Sequence, residues 1–133
     1  MKNPLLRTRA AALVLGTAVV LLQGCSKSGD GSRQAAPRNP NEAASQLGQA
    51  FVRAAPEIKH NADLASEAMR KGDYEKAVVA LQVIRSSTNI TLEQGLAIHN
   101  SVVAMEGKLI RAMDAGDENA KRAYQLLKEL KRN

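Results

Sequence analysis

The chain has 133 residues, enough for one domain of ordinary size with little to spare. Its 19 Lys and Arg against 13 Asp and Glu leave a net charge of +6, and aromatic residues are only 2% of the whole: Phe51, Tyr74 and Tyr124. So few aromatics argue against a base-stacking nucleic-acid platform and against a β-sandwich or barrel core. A single cysteine excludes an internal disulfide and a multi-cysteine zinc site.

The chain opens on a positive segment carrying Lys2, Arg7 and Arg9. Residues 10–22 then run without a charge, a length that fits the apolar region of an export signal and falls short of the roughly 20 residues a bilayer span needs. The run closes on Leu22-Gln23-Gly24-Cys25. This tetrad resembles the lipobox of bacterial lipoproteins. The resemblance covers residues 1–25 and implies a signal peptide over residues 1–24. It also implies a diacylglyceryl group on the Cys25 thiol, cleavage between Gly24 and Cys25, and acylation of the new amine. No cofactor beyond this covalent lipid is expected. By the same resemblance Ser26, not Asp, after the cysteine favours the outer membrane, on its periplasmic face, over the inner membrane.

Residues 26–41 are rich in Gly, Ser, Pro and Asn and hold no apolar side chain larger than Ala or Pro. Such a stretch buries too little surface to offset its ordering entropy, so residues 25–41 read as a lipidated cysteine and a flexible tether. As a coil, sixteen residues span about 22 Å. The charge divides along these lines. The signal carries +3 and the tether +2. Residues 42–133 have 13 basic and 12 acidic residues, so the remaining part is nearly neutral.

From Glu42 the apolar residues recur at steps of three and four, and residues 42–133 are expected to form an all-α domain of four to five helices in antiparallel hairpins. Ala43, Leu47, Phe51 and Ala54 mark a first helix ending near Pro56. Ile58, Ala62, Ala65 and Met69 mark a second, stopped by Gly72. Asp73 fits as the next N-cap, before Tyr74, Ala77, Val78, Leu81 and Ile84. After the turn cluster 86–89, Thr91 and Gln94 resemble a capping box. The long helix that follows reaches about residue 115, with Leu96, Val102, Val103, Leu109, Ile110 and Met113 expected on its inward side. Gly116-Asp117 repeats the stop and cap. Ala120, Tyr124, Leu127 and Leu130 line the last helix. Met69-x-x-Gly72-Asp73 thus echoes Met113-x-x-Gly116-Asp117, either as a repeat or as one good corner used twice.

Leu64, Ala65, Gly72, Asp73, Tyr74, Ala77 and Leu81 resemble one tetratricopeptide-type helical hairpin. Asn61 stands where the repeat's large aromatic falls, and Asn89 where its closing proline falls. The resemblance implies close helix pairing at the alanines and a protein-binding role without chemistry of its own.

The inventory for catalysis is thin. Glu57-x-x-His60 has the spacing of a helical metal ligand pair, but Leu96 stands three before His99 where a second such pair needs Glu. A composite of Glu57, His60, His99 and Glu106 would need two helices to converge, and no metal site is assigned. No nucleophile elbow or phosphate-cradling glycine loop is present. Gly95 and Gly107 sit inside the long helix. They mark either close packing within the chain or a close approach by a partner. The expected role is therefore non-enzymatic: a membrane-anchored module that binds or scaffolds proteins at the cell envelope, or alternatively a self-associating structural lipoprotein. No nucleic acid or small-molecule substrate is expected. A metal- or small-ligand-binding bundle is the third reading.

Overall fold

The computed structural model describes residues 35–133. Leu22, Gln23, Gly24, Cys25 and the first part of the tether lie outside the described residues. The described part is all-helical, with five helices and no strand: α1 (Pro40–Ala50), α2 (Pro56–Lys71), α3 (Tyr74–Arg85), α4 (Leu92–Asp114) and α5 (Glu118–Arg132).

Local chemistry sets most of the helix ends. Helix α1 begins two residues before the periodicity suggests. Asn39 Oδ1 accepts from the backbone N–H of Asn41 and Glu42, both at 3.0 Å, and Pro40 needs no partner at the first helical position. The preceding residues join this start: Gln46 Nε2 donates to the Ala35 carbonyl at 2.9 Å, and Arg38 N–H donates to Glu42 at 2.8 Å. The helix also stops earlier than expected, at Ala50. Ala55, before Pro56, takes an extended ψ of 146°, as a residue preceding proline prefers, and residues 51–54 turn to reach it. Pro56 therefore opens a separate α2.

The two Gly-Asp corners have one geometry. Gly72 and Gly116 are left-handed, at φ 76° and 87°. Asp73 N–H reaches back to the Ala68 carbonyl and Asp117 N–H to the Ala112 carbonyl, the long bond of a Schellman motif. Each aspartate then caps the next helix, Asp73 at Lys76 N–H and Asp117 at Asn119 and Ala120 N–H. Thr91 and Gln94 complete a capping box before α4. Such caps contribute about 1 kcal/mol each.

The helices close into a ring. Helix α1 packs on α2 and α4, α2 also on α3, α3 also on α5, and α5 also on α4; α3 touches α4 across the ring. One core cluster collects residues from all five. Leu47, Phe51, Met69, Leu81, Ile84, Met105, Leu109 and Leu127 are its largest fully buried side chains. Enclosing each stabilises the fold by about 1.5–3 kcal/mol. Between them lie many alanines, among them Ala44, Ala62, Ala65, Ala77, Ala97 and Ala123. With Phe51 the one aromatic that is fully enclosed, volume is filled by bringing helix backbones together. At one such place, a Cβ on Gly48 of α1 would stand 3.9 Å from Ser66 Oγ of α2.

Polar ties fasten the ring where alanines provide little area. Gln94 Nε2 donates to the Ala50 carbonyl at 3.3 Å and Asn100 Nδ2 to Gln46 Oε1 at 3.2 Å, joining α4 to α1. Arg122 meets Glu75 at 3.2 Å between α5 and α3, and Lys131 meets Glu106 at 2.9 Å between α5 and α4.

Candidate protein-interaction surface

Helix α4 carries two apolar stripes. One runs through Ala97, Ile98, Ser101, Val102, Met105 and Leu109 and is buried in the ring. The other runs through Leu92, Leu96, Val103 and Ile110 and faces outward, with exposures of 91%, 47%, 52% and 40%. The expected inward positions Leu96, Val103 and Ile110 are therefore corrected. Both stripes satisfy helical spacing, and α1 and α5 cover only one of them. Leu96, Val103 and Ile110 are spaced by seven, the step of a helix seam that pairs with another helix. Single exposed apolar residues are ordinary on a protein surface; here four share one face of α4, with His99 and Glu106 standing between them, and such a row is a candidate interaction site.

The interior glycines of α4 belong with this outer face. A Cβ on Gly95 would meet only Ile90 Cγ2, at 4.0 Å, and one on Gly107 only Arg111 Nη1, at 3.6 Å. Both are ordinary contact distances, so neither glycine is required by packing within the chain. Ser101, which stands near them in sequence, is fully buried and donates to the Ala97 carbonyl at 2.9 Å. The stripe has a shallow groove beside it of about 360 Å³, lined by Gly95, Ile98, His99 and Val102 with Arg85 of α3 and Lys131 of α5. Both cations there are already engaged, Arg85 by the Leu130 carbonyl and Lys131 by Glu106. What remains open for contact is the apolar lining and the exposed His99 imidazole.

The hairpin residues take a different place. Ala65, Ala77 and Leu81 are fully buried, and Leu64 and Tyr74 are partly buried against the same core. They hold α2 to α3. Gly72 and Asp73 make the corner described above. Burial pushes the Tyr74 hydroxyl above its usual pKa, with the Arg111 guanidinium acting in the opposite sense. The echo between the two corners stops at the caps: Met69 is buried and Met113 only half-buried, and Ala77 of the first corresponds to the exposed Lys121 of the second.

Glu57 and His60 are both exposed on α2, His99 is exposed on α4, and Glu106 is occupied by Lys131. Among the described residues no three His, Cys, Asp or Glu come together in a group able to hold a metal. No helix among them is long and apolar enough to cross a membrane. The outward stripe of α4 escaped sequence reasoning, although its seven-residue step is visible in Leu96, Val103 and Ile110. Two overlapping periodic patterns on one helix were the signal available. Comparison of the chain with protein families, with curated proteins and with solved structures returns no match.

Proposed function

We propose that this chain is a lipid-anchored bacterial envelope lipoprotein whose helical domain binds or scaffolds proteins, without chemistry of its own. The anchor rests on the sequence: a basic start, a thirteen-residue uncharged run, and Leu22-Gln23-Gly24-Cys25 with the sole cysteine at its end. Two or three acyl chains, at about 0.8 kcal/mol per buried CH₂, hold a domain firmly to a membrane. The residue after Cys25 favours the outer membrane, facing the periplasm. The tetratricopeptide-like hairpin motif adds a family of binding modules as an analogy.

The observation that carries the binding role is the outward stripe of α4. A helix whose inner stripe already satisfies the core has no structural need of Leu92, Leu96, Val103 and Ile110 on its outside. Helix-on-helix contact uses such a row directly.

Two measurements test the reading. Cys25→Ala is expected to abolish metabolic labelling with palmitate; surviving label would remove the anchor. In-cell crosslinking followed by mass spectrometry is expected to yield specific protein adducts, diminished when Leu96 and Val103 are both replaced by Ser. Adducts indifferent to that replacement would remove the α4 surface from the binding role.

A further inference from the structure

We infer that the partner of the α4 stripe is a second copy of this chain, docked with its own α4 antiparallel across a two-fold axis. The inference rests on the reading of this stripe as the binding face. Its basis is the way residues repeat along the helix. Leu92 and Ile110 are 18 residues apart, five full turns at 3.6 residues each, so they project in the same direction. Glu93 and Arg111 are also 18 apart and share a direction on the flank of the stripe.

A two-fold axis crossing α4 at the level of Ser101 exchanges these ends. Leu92 then meets Ile110 of the second copy, and His99 meets Val103, each contact occurring twice, as an isologous interface demands. Glu93 falls beside Arg111 of the second copy, on the same flank. In an antiparallel pair it is the equivalent flanks that adjoin. The two residues differ by two positions in level, about 3 Å, within reach of long side chains. Arg111 leans back along the helix toward Gly107, so its side chain passes the level at which Glu93 of the second copy stands. Neither Glu93 nor Arg111 has an ion-pair partner among the described residues, and both are exposed. The acid that falls opposite Leu96, Glu106, arrives already neutralised by Lys131. Gly95 and Gly107, one on each side of the stripe, let the backbones approach, and nothing within the chain requires them to be glycine.

The stripe is about 27 Å long at 1.5 Å per residue. One helix face of that length falls below the roughly 800 Å² per partner of a standard interface, so the pair is weak in dilute solution. Two copies anchored in one membrane share a small volume, and this raises the population of the pair.

The test uses the full chain in the membrane, carrying a photo-crosslinking amino acid at His99 and expressed as a mixture of two epitope-tagged forms. The expected product joins the two tags. Glu93→Arg alone should reduce it severalfold, Arg111→Glu alone likewise, and the two together should restore it. An adduct with a different protein would overturn the second copy as partner while leaving the binding face in place. No adduct at all would overturn both. A tag-to-tag adduct that the double charge reversal fails to restore would overturn the antiparallel register. Loss of palmitate labelling is read separately through Cys25→Ala, so failure of the anchor does not count against the pair.

Discussion

Helices α2 and α4 are built from similar apolar residues and dispose of them in opposite ways. In α2 the periodic positions Ala62, Ala65 and Met69 all enter the core, and the outward side is charged. In α4 the row Ala97, Ser101, Val102, Met105 and Leu109 enters the core while Leu92, Leu96, Val103 and Ile110 stay outside. The difference shows that apolar period alone does not mean burial. A helix with one apolar stripe has its orientation dictated by that stripe. A helix with two has it dictated by its neighbours, and the second stripe is left to meet something else.

The largest expected contrast follows from this. Leu81→Ala, at a fully enclosed position on α3, should leave a cavity and lower unfolding stability by about 2–5 kcal/mol in a denaturant titration. Leu92→Ala on the outer stripe should change stability by less than about 0.5 kcal/mol in the same titration. Equal effects would erase the distinction between the two stripes.

Glycine replacement sharpens the comparison with opposite signs. Gly72→Ala places a side chain at φ 76° and should destabilise by about 1–2 kcal/mol. Gly95→Ala should stabilise by about 1 kcal/mol, because alanine is the better helix former and the new Cβ finds only Ile90 at 4.0 Å. Thermal unfolding of both variants checks the signs. A destabilised Gly95→Ala would show that α4 needs that glycine inside the chain after all.

The smallest effect lies on the charged side of α2. Lys71 bonds to Glu67 at 2.6 Å and holds its carboxyl below the usual glutamate value, while Glu67 raises Lys71. A depressed carboxylate favours the folded state above its ordinary range, and that contribution disappears as pH falls through its folded value. The raised lysine works the other way: its contribution is present below the ordinary lysine range and disappears as pH rises through the raised value. Both side chains are well exposed, so the change in stability should be slight. In Lys71→Met, nuclear magnetic resonance titration should show the Glu67 pKa rising toward the ordinary carboxylate range, with Lys76 and Arg70 still acting to lower it. An unchanged Glu67 would mean that the pair is not held in solution.

The helices were legible in the sequence because their ends are local chemistry. Gly72-Asp73, Gly116-Asp117 and Thr91-x-x-Gln94 act through bonds spanning a few residues, and each cap forms where its motif stands. The start of α1 was less legible, because Asn39 and Pro40 lie in a run whose composition reads as tether. The candidate surface was visible only as an ambiguity: Val102 and Val103, or Leu109 and Ile110, are adjacent residues that both fit a helical period. One of each pair is buried and the other exposed.

The sequence by itself therefore determined the all-α class and the caps at Asp73, Thr91 and Asp117, and narrowed the helices to four or five, since hydrogen bonds within a turn and a period of 3.6 depend on nothing distant. It also placed the sole cysteine at the end of an uncharged run. Only the tertiary structure decided which stripe of α4 faces inward. Closing the ring through α1 and α5 fastens Asn100 to Gln46 and Glu106 to Lys131 on either side of the helix, and so turns Leu92, Leu96, Val103 and Ile110 to the outside. The choice depends on partners more than 20 residues away along the chain, and no local pattern encodes where those partners will stand.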